Sequence, residues 1–169
     1  MIMAFIPFAF LLALLVVAAA WDVASFTIPN TLQLGLVLAF IAFALLAPLP
    51  LSVVGMHVLA GLTALALGFT LFALGYVGGG DAKLLAAVAL WLGFGDLPAY
   101  VLVACVFGGA LSLGILMMRK WPLPAPLARQ NWLLRLHDPK AGVPYGVALA
   151  AGLFVILPQT DVYLRVFAG

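Results

Sequence analysis

Apolar residues fill this chain in long blocks, broken by short clusters of glycine, proline and polar side chains. A helix needs about 20 apolar residues to cross a hydrocarbon core roughly 30 Å thick. By that measure the pattern predicts six membrane-spanning helices, at 2–20, 31–47, 51–74, 82–94, 99–118 and 143–157. The fourth and sixth are short, so they are expected to start below the membrane surface or to sit where the bilayer thins. The five connections then fall at 21–30, 48–50, 75–81, 95–98 and 119–142. The expected fold class is an all-α polytopic membrane protein.

Composition sharpens this reading. Of 169 residues, 67% are hydrophobic and only 7% are charged, and the mean hydropathy is +1.32. A soluble domain carries about a quarter charged residues. The longest polar interval, 119–142, is too short and too rich in proline to bury a core of its own. The sequence therefore reads as a single integral membrane domain over 1–169. The first span lacks the basic flank of a secretion signal and outruns the usual apolar region of one, so it is expected to be retained. A net charge of +2 gives no ground for nucleic-acid binding. One cysteine, Cys105, excludes an internal disulfide framework and a cysteine metal cage, and is expected to pack as a small apolar residue.

Lysine and arginine set orientation. The first, third and fifth connections, with their helix starts, hold Lys83, Arg119, Lys120, Arg129, Arg135 and Lys140, whereas the opposite side holds only Arg165. The odd-numbered connections are expected in the cytoplasm and both termini outside. This arrangement brings the end of the first span (Asp22), the start of the fourth (Asp81) and the start of the sixth (Gly142 to Gly146) to the same face.

The two aspartates carry the candidate chemistry. A carboxylate at the centre of a membrane helix costs about 2.5–3.5 kcal/mol, and less near the interface. Asp81 also suits a plain helix N-cap, following Gly78, Gly79 and Gly80 and preceding an apolar run. Asp22 ends a helix, where the macrodipole disfavours negative charge; at Asp81 the dipole favours it. Two carboxyls held in such opposed fields can divide acid and base roles, or share one proton as a unit. Such a pair activates water against a peptide carbonyl with no metal and no cofactor. The three glycines are expected to free the backbone for close approach or for strand-like pairing with an extended peptide. Tight helix packing is the alternative.

The segment Gly78-Gly79-Gly80-Asp81-Ala82-Lys83 resembles the GxGDxK signature of prepilin and preflagellin peptidases, a family of intramembrane aspartyl proteases. Asp22, followed six residues later by Ile28-Pro29-Asn30, resembles that family's first motif. Pro144-Tyr145-Gly146 resembles its later proline–aromatic–glycine segment. The resemblance implies a catalytic dyad of Asp22 and Asp81, with Gly78 and Gly80 as the motif glycines. It implies that Pro144, Tyr145 and Gly146 help to shape the site, and that the substrate is a prepilin or pseudopilin. The short basic leader would be cut at the cytoplasmic face of the bacterial inner membrane. Ile28-Pro29-Asn30 is read as mainly architectural, with Asn30 capping the second span, and Lys83 as snorkelling to phosphates.

Two departures from the family pattern shape expectations. Ala24, Phe26 and Thr27 stand where many bacterial members carry basic residues. The chain also starts at its first span, so it resembles the small peptidases of tight-adherence (Flp-type) pili, and no methyl transfer is expected. The basic loop at 119–142 is expected on anionic lipid, with Trp121 and Trp132 at the headgroups and a short interfacial helix at 131–136. Asp138 reads as a turn residue, Asp96 as a turn residue on the far side, and His57 as a satisfied core histidine. The alternatives from other classes are a small ion- or proton-coupled transporter using Asp22 and Asp81, and a non-catalytic assembly subunit. A presenilin-like protease is the rival within the same chemistry.

Overall fold

The computed structural model describes residues 2–47, 49–124 and 126–167; Pro48, expected in the second connection, and Ala125, in the basic loop, lie outside them. Helix accounts for all regular structure among the described residues. The elements are α1 (Ile2–Ser25), α2 (Asn30–Leu46), α3 (Leu51–Ala73), α4 (Gly79–Met118), α5 (Asn131–His137), α6 (Tyr145–Ile156) and α7 (Asp161–Phe167). Three-residue 3-10 turns precede α5 and α7. Among the described residues three helices are long and apolar enough to cross a membrane: Met3–Ser25, Leu51–Ala73 and Gly79–Met118. The pair Tyr145–Gln159 and Asp161–Phe167, bent by 55°, makes a fourth if counted as one span. The chain is an all-α polytopic membrane protein.

The fourth and fifth expected segments form the two halves of α4, and the break expected at 95–98 lies earlier, at Gly93. There the backbone takes φ 63° and ψ −175°, a region open to glycine but strained for other residues. A helix of 40 residues would span about 60 Å, twice the hydrocarbon thickness, so a break of this kind is required. His57 seals it. Its Nδ1 lies 2.9 Å from the carbonyl oxygen of Leu90, whose helical partner would be Phe94, beyond the break. The imidazole also stacks on Phe40. His57 is thus a satisfied interior histidine.

The two halves of α4 face different partners. α3 packs on the first half, with Gly68 against Ala82 and Gly61 against Ala86 and Leu90. α6 packs on the second, with Gly152 against Ala104 and Gly108 against Tyr145. Glycine lets the backbones close in where lipid offers no hydrophobic drive for association. The first half of α4 is the hub of the bundle: Leu84, Val88, Ala89 and Trp91 are fully buried. Trp91 meets the rings of Phe40 and Phe43, and its indole N–H donates to the Leu36 carbonyl at 3.0 Å. In α1 burial falls on Phe8, Leu11, Leu15 and Ala18, and in α2 on Gln33, Leu36, Phe40 and Phe43. Both stripes have helical spacing within segments that are apolar on nearly every face.

Several smaller expectations change. Cys105 is exposed on the outside of the bundle rather than packed within it. Arg119 turns inward, donating to the carbonyls of Leu136, Ala141 and Gly142, and so pins the basic loop to the end of α4. The short helix expected at 131–136 forms as α5, and Trp121 and Trp132 are exposed. Asp138 closes a turn by accepting the Lys140 amide. Asp96 lies within the assigned helix, and its carboxylate accepts the Asp161 amide at 3.0 Å, tying α4 to the start of α7.

Candidate active site

Asp22 sits in the last turn of α1, 4% exposed, and its Oδ2 accepts the Gly146 N–H at 2.7 Å. That bond joins the end of α1 to the start of α6 and fixes the orientation of the carboxyl group. After Asp22 the helix runs one more turn, and the Phe26 amide donates back to the Asp22 carbonyl at 2.7 Å. Phe26 stands at φ 56°, the left-handed cap position that glycine usually fills. For a phenylalanine that conformation costs about 1–2 kcal/mol. Phe26→Gly is expected to raise the unfolding midpoint in detergent by the equivalent of about 1 kcal/mol, part of the relief being offset by glycine's greater backbone entropy when unfolded. Thermal denaturation followed by circular dichroism checks this.

The sharp exit at Phe26 directs Ile28 inward. Its side chain lies between two glycines: a Cβ on Gly80 would come 3.3 Å from Ile28 Cβ, and one on Gly146 3.0 Å from Ile28 Cδ1. One buried isoleucine thereby sets the spacing between the starts of α4 and α6. Pro29, not Asn30, holds the cap position of α2. Asn30 is the first helical residue, and its Oδ1 accepts from Lys83 Nζ at 2.9 Å instead of capping. Lys83 therefore reaches across to α2 rather than snorkelling. A second tie lies beside it, where Gln33 Nε2 donates to the Gly80 carbonyl at 3.1 Å.

Asp81 is the third residue of α4, and Gly78 holds the cap position. The N-cap alternative for Asp81 gives way to another arrangement, because Asp81 is already helical and its carboxyl group turns back beside Gly78. A Cβ on Gly78 would lie 2.8 Å from Asp81 Oδ2, so this glycine leaves room for the carboxyl group. Gly79 and Gly80 are already helical, and Gly80 spends its carbonyl on Gln33. These two do not offer the strand-like edge expected of them; Gly80 serves close approach to Ile28 and Gly79 packs against the Phe72 ring.

Ile28 brings the two aspartates to one place, packing on Gly80 beside Asp81 and on Gly146, whose amide donates to Asp22. Since Asp22 touches Gly146, and Tyr145 packs on Gly108, residues 81 and 108 lie at the same end of the bundle. The chain accordingly reverses at Gly93. The structure gathers Asp22, Ile28, Pro29, Asn30, Gly78, Gly80, Asp81, Lys83, Pro144, Tyr145 and Gly146 at this end. Tyr145 begins α6, and its hydroxyl lies 3.1 Å from Ser112 Oγ. Among the described residues no three His, Cys, Asp or Glu side chains gather as a metal site would require.

Gln33 and Ser112 escaped the sequence reading. Gln33 had a signal, an amide side chain buried in an otherwise apolar span; Ser112 had none beyond its hydroxyl. Gln33→Leu leaves the Gly80 carbonyl without this partner, which costs about 1–2 kcal/mol. The expected result is a lower unfolding midpoint in detergent, with the amide partly rescued in Gln33→Asn only if water bridges the gap.

The sequence model of the type IV leader peptidase family matches residues 9–113, a stretch that contains both aspartates and ends before Pro144. The prepilin leader peptidase/N-methyltransferase of Pectobacterium carotovorum subsp. carotovorum is 37% identical over 133 residues, covering 73% of this chain and 46% of that protein. The proteins of the same name from Burkholderia pseudomallei strains 1026b and K96243 are each 38% identical over 76 residues, 45% of this chain and 19% of theirs. The chain thus spans less than half the length of these relatives. No solved structure matches it.

Proposed function

Because this chain belongs to the type IV leader peptidase family, we propose that it is an intramembrane aspartyl endopeptidase with Asp22 and Asp81 as its catalytic pair. The observation that carries this reading is the approach of two carboxyl groups from separate helices at one end of a membrane bundle. One of them is oriented by a backbone amide, and Ile28 packs between the glycines beside both. The substrate is a prepilin or pseudopilin of Flp type, cut between its short basic leader and its apolar helix. The cut is made at the cytoplasmic face of the inner membrane. The lysine and arginine asymmetry supports that side, with both termini outside.

The chemistry follows from one proton shared between two acids. The ionised carboxylate takes a proton from a water molecule lying between the pair, and the water oxygen attacks the scissile carbonyl carbon. The protonated partner gives its proton to the carbonyl oxygen, which would otherwise carry the developing negative charge. Collapse of the tetrahedral intermediate breaks the C–N bond as a proton passes to the leaving nitrogen. Burial of Asp22 and the glycine lining keep bulk water and side chains from competing for the site. Anionic lipid along the loop at 119–142 would hold the protein at the inner leaflet, with exposed Trp121 and Trp132 at the headgroups.

The test is cleavage of a leader-bearing prepilin by the purified chain in liposomes, with the mass of the new N-terminus reporting both the cut and any methyl group. A defined cut before the apolar helix supports the proposal. Absence of cleavage, together with proton or cation flux that depends on Asp22 and Asp81, would favour a transporter.

A further inference from the structure

α2 and α3 both pack on the first half of α4 but scarcely on each other. Between them runs a groove of about 780 Å³, floored by Ala86, Ala87 and Leu90. Ala44 on α2 and Val58 on α3 are among its walls. Its lining is apolar apart from Gln33 and Lys83, and both of these stand at the end nearest Asp81. Lys83 follows Asp81 by two residues, and Gln33 holds the carbonyl of the residue before it. The opposite end is bounded by Leu49 and Leu51, at the connection between α2 and α3. From Gln33 to Leu45 the α2 wall is about 18 Å long, roughly three turns of helix.

We propose that this groove seats the apolar helix that follows the scissile bond of the substrate, so that the enzyme reads the helix as well as the leader. The proposal rests on the leader-peptidase reading above. Three observations carry it. The polar end of the groove, at Lys83 and Gln33, lies within one helical turn of Asp81, so a chain cleaved there and then entering the membrane passes beside it. Its polarity runs from polar at the site to apolar at depth, which matches a peptide whose polar leader gives way to an apolar helix. Two of its three floor residues, Ala86 and Ala87, are small, and small side chains let a second helix approach closely in lipid. The gap between α2 and α3 is open to the bilayer, with exposed Leu34, Ile41 and Leu62 at its edges, so the substrate enters sideways.

Two groove-filling variants, Ala44→Trp and Val58→Trp, test this against Val106→Trp, which lies exposed on the second half of α4 away from the groove. The substrate is a leader-plus-apolar-helix peptide in liposomes. Both groove variants are expected to raise KM about tenfold with kcat little changed, as loss of uniform binding does, while Val106→Trp matches wild type. In parallel, a photoreactive side chain in the substrate helix is expected to label α2 and α3 of the uncleaving Asp81→Asn protein. If wild type cleaves but the groove variants behave like Val106→Trp and the label falls on other helices, the groove holds lipid and the inference is overturned. If wild type does not cleave the peptide at all, the leader-peptidase reading itself fails.

Discussion

Asp22→Asn and Asp81→Asn are each expected to reduce leader cleavage by at least about 10³-fold, as loss of either member of a unit that acts together does. Asparagine matches aspartate in shape, and its amide oxygen can still accept the Gly146 N–H that Asp22 now receives. The substitution therefore removes ionisation and leaves packing in place. Both variants should remain membrane-inserted with wild-type helicity and unfolding midpoints. The double variant should be no slower than either single one, because a dyad lacking one acid is already idle. Initial rates on a leader peptide, with circular dichroism as the folding control, check each of these points. An assembly subunit or a transporter would show no such loss of hydrolysis, having none to lose.

Gly146→Ala carries the second-largest effect. Gly146 donates its amide to Asp22, and a Cβ there would fall 2.8 Å from Asp22 Oδ2, 3.1 Å from Asp22 Cβ and 3.0 Å from Ile28 Cδ1. Real side chains do not tolerate the first of these contacts, so the carboxyl group must swing away or α6 must draw back. Either response lengthens a hydrogen bond to a charged group worth about 1.5–3 kcal/mol. The expected outcome is a fall in kcat of about 10- to 100-fold, with KM little changed because the leader still binds. Gly142→Ala supplies the control from the same segment: nothing lies within 4 Å of its would-be Cβ. It should cleave at the wild-type rate.

The sequence disclosed the membrane class, the apolar segments and the convergence of Asp22, Asp81 and the 142–146 segment. Each of these depends on composition or on order along the chain. What it hid was direction within a helix. In α1 and α2 almost every residue is apolar, so nothing marks Phe8, Leu11 and Leu15, or Leu36, Phe40 and Phe43, as the buried stripe. The break expected at 95–98 falls at Gly93 for a related reason. Proline is the obvious breaker, yet this helix carries Pro98 and turns at a glycine whose place is set by His57. Of the expectations for the glycines before Asp81, conformational freedom gives way to close approach, since none of the three takes a positive φ. Their value is space, for Ile28 against Gly80 and for the Asp81 carboxyl against Gly78. Side-chain ties across helices, Lys83 to Asn30 and Gln33 to Gly80, depend on a register that no one-dimensional pattern specifies.

The account stands on the meeting of Asp22 and Asp81 at one membrane face, and paired cysteines measure it most directly. In a Cys105→Ser background, Asp22→Cys and Asp81→Cys are introduced together, and vesicles of known orientation are treated with an impermeant maleimide or a short thiol cross-linker. Both cysteines should label only from the cytoplasmic side, and the cross-linker should join them within one chain. Labelling from opposite sides, or no intrachain joining at any cross-linker length, would contradict the account.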